Sequence, residues 1–198
     1  GEYQGEQHGF WRDTSGPNFV ADTTQIGTVT LSDLTTAITG GTASLTFFGV
    51  PSGSGQRRGI DRDMNGTLDG DEGLVNYGSP SPGCGPQMTL RGNTEPHIGN
   101  SLFAVLADNA PALSGGVFLF NVTQASLPLV DLTLLVNPVG MVSFPAASDA
   151  AGSGLFELPL PQNPALLGVT LNTQAIFPSG CGLLGLGASD GLAITFSQ

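Results

Sequence analysis

Glycine and proline interrupt this chain so often that long helices are excluded from most of it. The 198 residues include 30 glycines and 14 prolines. Together they make up about 22% of the chain, against a usual combined share of roughly 12%. Glycine weakens helices through its backbone entropy, and proline removes a backbone donor. The chain is therefore predicted to be mainly β, with short strands joined by turns.

The second half of the chain carries most of the predicted strands. Residues 79–86 are rich in glycine, serine and proline and predict a linker. Eight short apolar runs follow between turn signals, at residues 87–91, 101–107, 116–122, 129–136, 141–144, 154–160, 169–177 and 191–197. Short strands at this spacing are typical of an antiparallel β-sandwich of immunoglobulin-like or jelly-roll size. We therefore predict that residues 87–198 form such a sandwich.

Residues 1–78 predict a smaller N-terminal region. Residues 1–29 are polar and glycine-rich, with few bulky side chains, and predict an extended arm. From Thr30 to Gly41, a capping residue, apolar positions at helical spacing and a glycine stop predict one short helix. Residues 44–50 are β-branched and aromatic and predict a strand. This region therefore lacks the regular strand pattern of the second half.

Residues 61–72 match a twelve-residue calcium-binding loop at each constrained position. Aspartate, aspartate and asparagine occupy positions 1, 3 and 5, and the glycine at position 6 allows a sharp turn. Five carboxylates lie within these residues, and they would repel one another without a cation. The alternative is a solvated acidic loop. We predict an EF-hand-like Ca²⁺ site whose ligands are Asp61, Asp63, Asn65, the Thr67 carbonyl, Asp69 through water, and Glu72 in bidentate mode.

The flanks of this loop argue against a calcium-dependent switch. Glycine and serine precede the loop and proline follows it, so two long flanking helices do not fit. Single extracellular loops of this kind bind calcium with a Kd of roughly 10⁻⁴–10⁻³ M. The ion is therefore expected to act as a structural brace. Arg57, Arg58 and Arg62 are expected to offset the negative charge of the loop rather than to bind phosphate.

The two cysteines, Cys84 and Cys181, are predicted to form a disulfide. Such a bond would close a loop of about 98 residues and, in the chain-entropy model, stabilise the fold by roughly 4–5 kcal/mol. The alternative is two reduced, buried thiols in a cytosolic protein. Because a calcium loop and a disulfide both suit an oxidising exterior, we favour the disulfide.

The charge of the chain excludes several classes of partner. Five arginines, no lysine and 16 acidic residues give a formal net charge of −11. Without a basic patch, the chain is not expected to bind nucleic acid or anionic membrane surfaces. The sequence also contains no run of about 18 apolar residues, so it predicts no membrane span.

No residue pattern predicts enzyme chemistry. His8 and His97 stand alone, without the spacing of zinc ligands. We find no motif for covalently attached haem, no nucleophile elbow and no phosphate-binding glycine loop. The chain is therefore predicted to have no catalytic residue and not to be an enzyme.

Residues 9–72 contain two stretches that resemble a known group of proteins. The stretches GFWRDTSGPNFVADTTQIGTVTLSDL and ASLTFFGVPSGSGQRRGIDRDMNGTLDGDE, within residues 9–72, resemble the C-terminal region of planctomycete-type large secreted modular proteins. In those proteins an EF-hand-like calcium loop precedes a Gly/Leu/Pro-rich β-domain, and residues 84–198 resemble that domain. The resemblance implies an extracellular or cell-surface location in a bacterium and no defined activity. No haem motif or propeller precedes the loop here, so no catalytic residue is carried over.

Two functions remain open from the sequence. The first is a non-enzymatic structural protein, a calcium-stabilised subunit of an extracellular fibre or surface assembly of identical subunits. A nearly neutral, lysine-free sandwich leaves its sheet edges unprotected, and residues 19–31 form a strand that the arm would donate to a neighbour. The second is a glycan- or protein-binding adhesion module of a larger secreted protein. Its aromatic candidates, Tyr3, Trp11 and Tyr77, lie outside the sandwich, so we favour the structural role.

Overall fold

The chain divides into two units, each built mainly of β-strands, in the computed structural model of the protein. The structure describes residues 1–12, 16–62, 64, 66–81 and 85–197. Unit 1 comprises Gly1–Glu72 and the short segment Asn93–Glu95. Unit 2 comprises Gly73–Gly92 and Pro96–Gln198. Each unit has a buried apolar core of its own, and the predicted mainly β class is confirmed.

Unit 1 is assembled from very short elements. Its strands are β1 (Glu2–Tyr3), β2 (Glu6–Gln7), β3 (Phe10–Arg12), β4 (Asn18–Ala21), β5 (Thr28–Thr30) and β6 (Ala43–Ser44). Its helices are α1 (Leu31–Thr39), α2 (Gly55–Gly59) and a 3₁₀ turn at Asp69–Asp71. The strands form two antiparallel sheets, in the orders β2-β1-β6 and β3-β4-β5. The buried side chains that hold them together are Tyr3, Phe19, Val29 and Leu34.

The predicted short helix is present as α1, and its start is encoded locally. Thr30 caps the helix, because its side-chain oxygen accepts a hydrogen bond from the Asp33 N–H at 3.1 Å. The Asp33 carboxylate in turn accepts from the Thr30 N–H at 2.9 Å. This reciprocal capping box satisfies backbone donors that the first turn of a helix leaves unpaired. Leu34 then anchors the helix, since it is fully buried.

The N-terminal arm is extended, as predicted, but it is not a free arm. Its residues form β1 to β5, and these strands pair with one another or with β6. Phe19 supplies a bulky side chain to the core of unit 1. The arm is folded because Tyr3, Phe19 and Val29 together bury enough apolar surface to order it.

The predicted strand at residues 44–50 is wrong over most of its length. Only Ala43–Ser44 pairs, with β1, and residues 45–50 form no strand. The Phe48 side chain is exposed. The Phe47 ring packs against the Phe19 ring, and the two ring centroids are 5.7 Å apart. A β-prone run becomes a strand only where a second strand accepts its backbone hydrogen bonds, and none does so here among the described residues.

Unit 2 contains the longer strands of the protein. They are β7 (Leu74–Tyr77), β8 (Thr89–Gly92), β9 (Ala104–Asp108), β10 (Gly115–Asn121), β11 (Gln124–Leu129), β12 (Leu132–Val136), β13 (Val142–Ala147), β14 (Gly154–Glu157), β15 (Thr170–Pro178) and β16 (Leu186–Thr195), with a 3₁₀ turn at Pro164–Leu166. One sheet has the order β13-β10-β15-β16-β7, and a second has the order β14-β9-β8. All pairings within these sheets are antiparallel.

The two sheets enclose one apolar core, which confirms the predicted antiparallel β-sandwich. Its fully buried side chains come from both sheets and include Phe103, Val105, Phe118, Phe177, Leu192 and Ile194. Along β10, Phe118 and Phe120 belong to this core. Leu119 instead joins a second cluster with Leu134 and Val136 of β12. The alternation of side chains along a strand therefore places apolar groups on both faces of the five-stranded sheet.

A hairpin of β11 and β12 covers the second face of the five-stranded sheet. Gln174 of β15, which is completely buried, connects the two layers. Its side-chain oxygen accepts a hydrogen bond from the Leu135 N–H at 2.9 Å, and its nitrogen donates to the Thr133 carbonyl at 3.0 Å. The β11 segment was not among the predicted strands, because Gln124–Leu129 contains a proline and only partial alternation.

The predicted linker at residues 79–86 is part of unit 2 where the structure describes it, at residues 79–81 and 85–86. Ser81 is buried and donates its backbone N–H to the Ala188 carbonyl at 2.9 Å. The Ser81 hydroxyl oxygen accepts from the Ala188 N–H at 2.7 Å. Just before this segment, Leu74–Tyr77 forms an edge strand of the sandwich. The sandwich therefore begins earlier along the chain than residue 87.

Asp190 connects the two sheets of the sandwich. One of its carboxylate oxygens accepts a hydrogen bond from the Leu90 N–H of β8 at 2.8 Å. The other accepts from the Asn76 amide at 3.0 Å, and Asn76 also donates to the Leu90 carbonyl. Burial raises the pKa of Asp190 above its ordinary value of 3.8, although the hydrogen bonds act in the opposite direction.

Replacing Asp190 by asparagine is expected to change how the stability of unit 2 depends on pH. Because its folded-state pKa is raised, wild-type Asp190 contributes stability that is fully present below 3.8 and is lost as pH rises through the raised pKa. The free energy of unfolding of wild type, relative to Asp190→Asn, should therefore fall as pH rises. Denaturant unfolding at several pH values, followed through amide NMR signals of β16, measures this difference.

Asp33 provides a control of opposite sign. Hydrogen bonds from the Thr30 side chain and backbone lower the pKa of Asp33. Its stabilising contribution is therefore present above the ordinary value and is lost as pH falls through the lowered pKa. The free energy of unfolding of Asp33→Asn should therefore be lower than that of wild type near neutral pH, and this difference should disappear in acid. A pH-independent difference between wild type and Asp190→Asn would contradict the prediction.

Candidate metal centre

The acidic loop at residues 61–72 lies wholly in unit 1 and follows a helix of five residues, α2. It ends in the 3₁₀ turn at Asp69–Asp71. The structure describes every residue of the loop except Asp63 and Asn65. Two of the six predicted ligands therefore lie outside the described residues, and the site is assessed from the other four.

Asp61, at position 1 of the loop, is the most deeply buried of the described ligands, with 2% of its surface exposed. One carboxylate oxygen, Oδ2, accepts a hydrogen bond from the Gly66 N–H at 3.2 Å. The other, Oδ1, is buried and has no hydrogen-bond partner among the described residues. A buried carboxylate oxygen without a partner is costly, and native proteins usually satisfy it with a donor or a cation.

The backbone of the loop turns sharply at positions 4 and 6. Met64 has a φ of +62° and Gly66 a φ of +90°. Gly66 has open space around it, so glycine is required there for its backbone conformation and not for a close contact. The Met64 side chain points outward, and 52% of its surface is exposed. These turns bend the chain back toward Asp61, where the Gly66 N–H donates.

Arg62 holds Asp69, the residue at position 9. The Arg62 backbone N–H donates to Asp69 Oδ1 at 2.8 Å, and its Nε lies 3.1 Å from Oδ2. The terminal guanidinium nitrogen of Arg62 forms an ion pair with Glu95, a buried carboxylate from the second segment of unit 1. Asp69 therefore has a positioned partner for each oxygen. This arrangement agrees with a position that contacts calcium through water rather than directly.

Asp71 anchors the end of the loop to a distant part of unit 1. Its carboxylate oxygens accept hydrogen bonds from the Thr23 hydroxyl at 2.7 Å and from the Thr24 N–H at 2.9 Å. The neighbouring Gly70 N–H donates to the Asp22 carbonyl at 2.7 Å. A Cβ atom on Gly70 would lie 2.9 Å from that carbonyl oxygen, so glycine permits the close approach. No sequence signal connects these residues, because Asp71 occupies an unconstrained position of the loop pattern.

The remaining described ligands lie at the surface of the loop. Thr67 is exposed, and Glu72 is partly buried with an extended backbone, φ −66° and ψ 137°. Every predicted ligand is an oxygen donor, which is the preference of Ca²⁺. Outside residues 63 and 65 and the other undescribed positions, no three His, Cys, Asp or Glu side chains come together as a metal-binding group.

The cysteines and histidines singled out in the sequence are not part of the loop at residues 61–72. Cys181 is partly buried between β15 and β16, and its N–H donates to the Ser179 hydroxyl at 3.2 Å. Cys84 lies outside the described residues, so the disulfide stays a prediction. His8 is buried, with its Nδ1 2.9 Å from Asp22 Oδ1. The Asp22 carboxylate also accepts a hydrogen bond from the Gly9 N–H. The contact between His8 and Asp22 therefore belongs to the packing of unit 1.

No protein family, curated protein or solved structure gives a significant match to this chain. Among the described residues, neither helix has the length and apolar character needed to cross a bilayer.

Proposed function

We propose that this chain is a non-enzymatic structural protein outside a bacterial cell, a calcium-stabilised subunit of a fibre or surface assembly. The observation that supports the calcium site is the buried Asp61 Oδ1, for which the described part of the chain supplies no hydrogen-bond partner. It occupies position 1 of a loop whose oxygen spacing suits Ca²⁺. A cation at this oxygen would remove the cost of a buried, unpaired charge.

The ligands we assign to the ion are Asp61, Asp63, Asn65, the Thr67 carbonyl and Glu72, with Asp69 in the outer sphere. When bound, the cation would neutralise the acidic loop and cross-link its first and last residues. The chain itself already holds the end of this loop, because Asp71 is bonded to Thr23 and Thr24. The effect of calcium would therefore be to brace unit 1. A Cys84–Cys181 disulfide remains a second proposed brace, consistent with an oxidising exterior.

We assign the contact between subunits to β14, an edge strand of the three-stranded sheet. The edge strand β13 contains Pro145 and the hairpin strand β11 contains Pro128, and proline blunts an edge by removing a backbone donor. β14 contains no proline and a single charge, Glu157. Its Leu155 side chain is half exposed. This edge is therefore less protected than the edges of β13 and β11 against pairing with a strand of another copy.

The N-terminal arm is not the donor of this contact. β4 has β3 on one side and β5 on the other, so both edges of Asn18–Ala21 are already paired. The following residues continue directly into α1. Donation of residues 19–31 would require unit 1 to lose its own core, and we withdraw that part of the hypothesis.

A charge on the β14 edge is expected to prevent assembly. Leu155→Lys places a cation on the proposed contact, whereas Leu102→Lys makes the same change at an exposed loop residue. In millimolar calcium, wild type and Leu102→Lys should form oligomers or filaments and Leu155→Lys should remain monomeric. Sedimentation velocity and negative-stain electron microscopy distinguish these outcomes. A wild-type protein that stays monomeric at high concentration would contradict the assembly.

The alternative of a glycan- or protein-binding adhesion module has weaker support. Glycan sites commonly present exposed aromatic rings, but Tyr3 is buried and Trp11 packs against Gly55. The Tyr77 hydroxyl donates to the Leu135 carbonyl at 3.1 Å, and burial raises the pKa of Tyr77 to about 12. The three aromatic candidates therefore contact their own chain rather than form a binding platform.

A further inference from the structure

An apolar cavity of about 350 Å³ opens at one edge of the sandwich in unit 2. It lies where β13 and β14, which belong to different sheets, stand side by side. The two segments meet at the bridge between Ser148 and Gly154. The cavity occupies the opposite end of this edge, beside Val142 and Leu158.

One wall of the cavity is a set of three phenylalanine rings. The ring centroids of Phe120 and Phe156 are 4.9 Å apart, and those of Phe144 and Phe156 are 5.0 Å apart. Phe120 is almost fully buried, whereas 41% of Phe144 is exposed. The wall therefore runs from the core of the sandwich to the surface. Rings in mutual contact lose little freedom when a further flat ring packs against them.

Asn121 is the one polar side chain among the described residues of the lining, and its hydrogen-bonding groups are engaged within the chain. Its amide nitrogen donates to the Asn137 and Val139 carbonyls, each at 2.8 Å. Its side-chain oxygen accepts from the Thr123 N–H at 3.1 Å. A polar ligand group placed beside Asn121 would therefore lose its water without gaining an equivalent partner.

None of the described residues that line the cavity is charged, so a ligand carrying a buried carboxylate or ammonium would find no counter-charge among them. The volume of about 350 Å³ lies within the range of small-molecule pockets, roughly 300–1,000 Å³. Apolar cavities of about 150 Å³ already take up benzene. Size, lining and absence of charge therefore select one class of ligand.

We propose that this cavity binds a small, uncharged aromatic molecule, which would stack against the wall of Phe120, Phe144 and Phe156. The binding site is separate from the calcium loop, since the cavity belongs to unit 2 and the loop to unit 1. The lining residues all come from one chain, and one of them, Phe156, belongs to β14, the strand assigned to the proposed subunit contact.

The test uses N-phenyl-1-naphthylamine, an uncharged aromatic probe that fluoresces in apolar surroundings. Titration of the full chain should give a saturable increase in fluorescence with one site per chain. Val142→Trp, which fills the cavity, and Val142→Asp, which puts a charge at its rim, should both lose this increase. Val142 is half exposed, so neither change removes a core side chain.

Val75→Trp and Val75→Asp are the matched controls. Val75 is also exposed and lies on β7, at the other edge of the same sheet. Both controls should retain the wild-type titration. The proposal is overturned if wild type shows no saturable increase, or if the Val142 variants bind as wild type does. It is also overturned if the probe acts by dissociating an oligomer, since a second copy would then be the natural occupant.

Discussion

Calcium at about 10 mM is expected to raise the free energy of unfolding of unit 1 by roughly 1.4–2.7 kcal/mol, and Asp61→Asn is expected to abolish that increase. The range corresponds to a Kd of roughly 10⁻³–10⁻⁴ M for a single loop of this kind. Asp61 is decisive because its Oδ1 is buried and no described residue donates a hydrogen bond to it. Asparagine keeps the shape of the side chain but removes the charge that attracts the cation.

Without calcium, wild type is expected to lose its advantage in free energy of unfolding over Asp61→Asn, and the difference between the two proteins should vanish or change sign. A buried carboxylate oxygen without a partner destabilises the folded state more than a neutral amide does. Asp61→Asn is therefore expected to be at least as stable as wild type in the presence of a chelator. Wild type should be more stable than Asp61→Asn only when calcium is added.

Trp11 makes this measurement specific to unit 1. It is the single tryptophan of the chain and lies on β3 of that unit. Its indole nitrogen packs against Gly55 of α2, the helix that precedes the loop. Thermal or denaturant unfolding followed by tryptophan fluorescence therefore reports the unit that contains the candidate site. Identical transitions in calcium and in chelator would remove calcium from the proposed function.

Asp71→Asn is the matched control for Asp61→Asn. It is the same chemical change in the same loop, but Asp71 accepts hydrogen bonds from Thr23 and Thr24 and is not a predicted ligand. We expect it to destabilise unit 1 by roughly 1–3 kcal/mol, because those bonds involve a charged acceptor. The loss should be similar with and without calcium. If both variants lose the calcium response equally, the assignment of Asp61 as a ligand is wrong.

Phe177→Ala is expected to destabilise unit 2 by about 3–5 kcal/mol, the usual cost of removing a buried phenylalanine. Phe177 is fully buried in the sandwich core. Its ring lies between β10 and β14: a Cβ atom on Gly116 would be 2.5 Å from it, and one on Gly154 would be 2.9 Å from it. A glycine in each of the two sheets therefore provides the space that the Phe177 ring occupies. Leu183→Ala, at a residue 89% exposed, should change stability by less than about 0.5 kcal/mol.

A double-mutant cycle with Gly154→Ala tests the contact itself. The new methyl group would meet Phe177 first, at 2.9 Å, and Ala107 only at 3.5 Å. Gly154→Ala should therefore be destabilising in wild type and nearly neutral in the Phe177→Ala background. Denaturant unfolding followed through amide NMR signals of β10 and β15 measures all four proteins. Additive effects of the two changes would show that Phe177 does not occupy this space.

The features that could be predicted from the sequence are those encoded within a few residues. Thr30 and Asp33 form a capping box three residues apart, and α1 begins where they predict. The alternating apolar runs of the second half predict strands, and the sandwich contains them with shifted ends. The acidic loop is likewise a local pattern, whose positions 1 and 6 meet as the Asp61–Gly66 hydrogen bond.

The features that could not be predicted depend on partners far along the chain. Residues 44–50 have a strong strand composition, yet most of them find no second strand among the described residues. Leu74–Tyr77 lies in a glycine-rich stretch, yet it pairs with β16, where Tyr77 faces Gly191. The ring of Tyr77 fills the space beside that glycine, so a methyl group there would lie 2.4 Å from the ring. Neither outcome follows from the local sequence.

By itself, the sequence determined the β class of this protein, its capped helix and the oxygen spacing of its acidic loop, because each depends on the chemistry of neighbouring residues. The tertiary structure alone decided that the N-terminal arm is folded, that Asp71 bonds to Thr23, and that Asp61 keeps a buried oxygen to which no described residue donates a hydrogen bond. A strand or a buried carboxylate needs a partner for its polar groups, and only the folded chain supplies or withholds that partner.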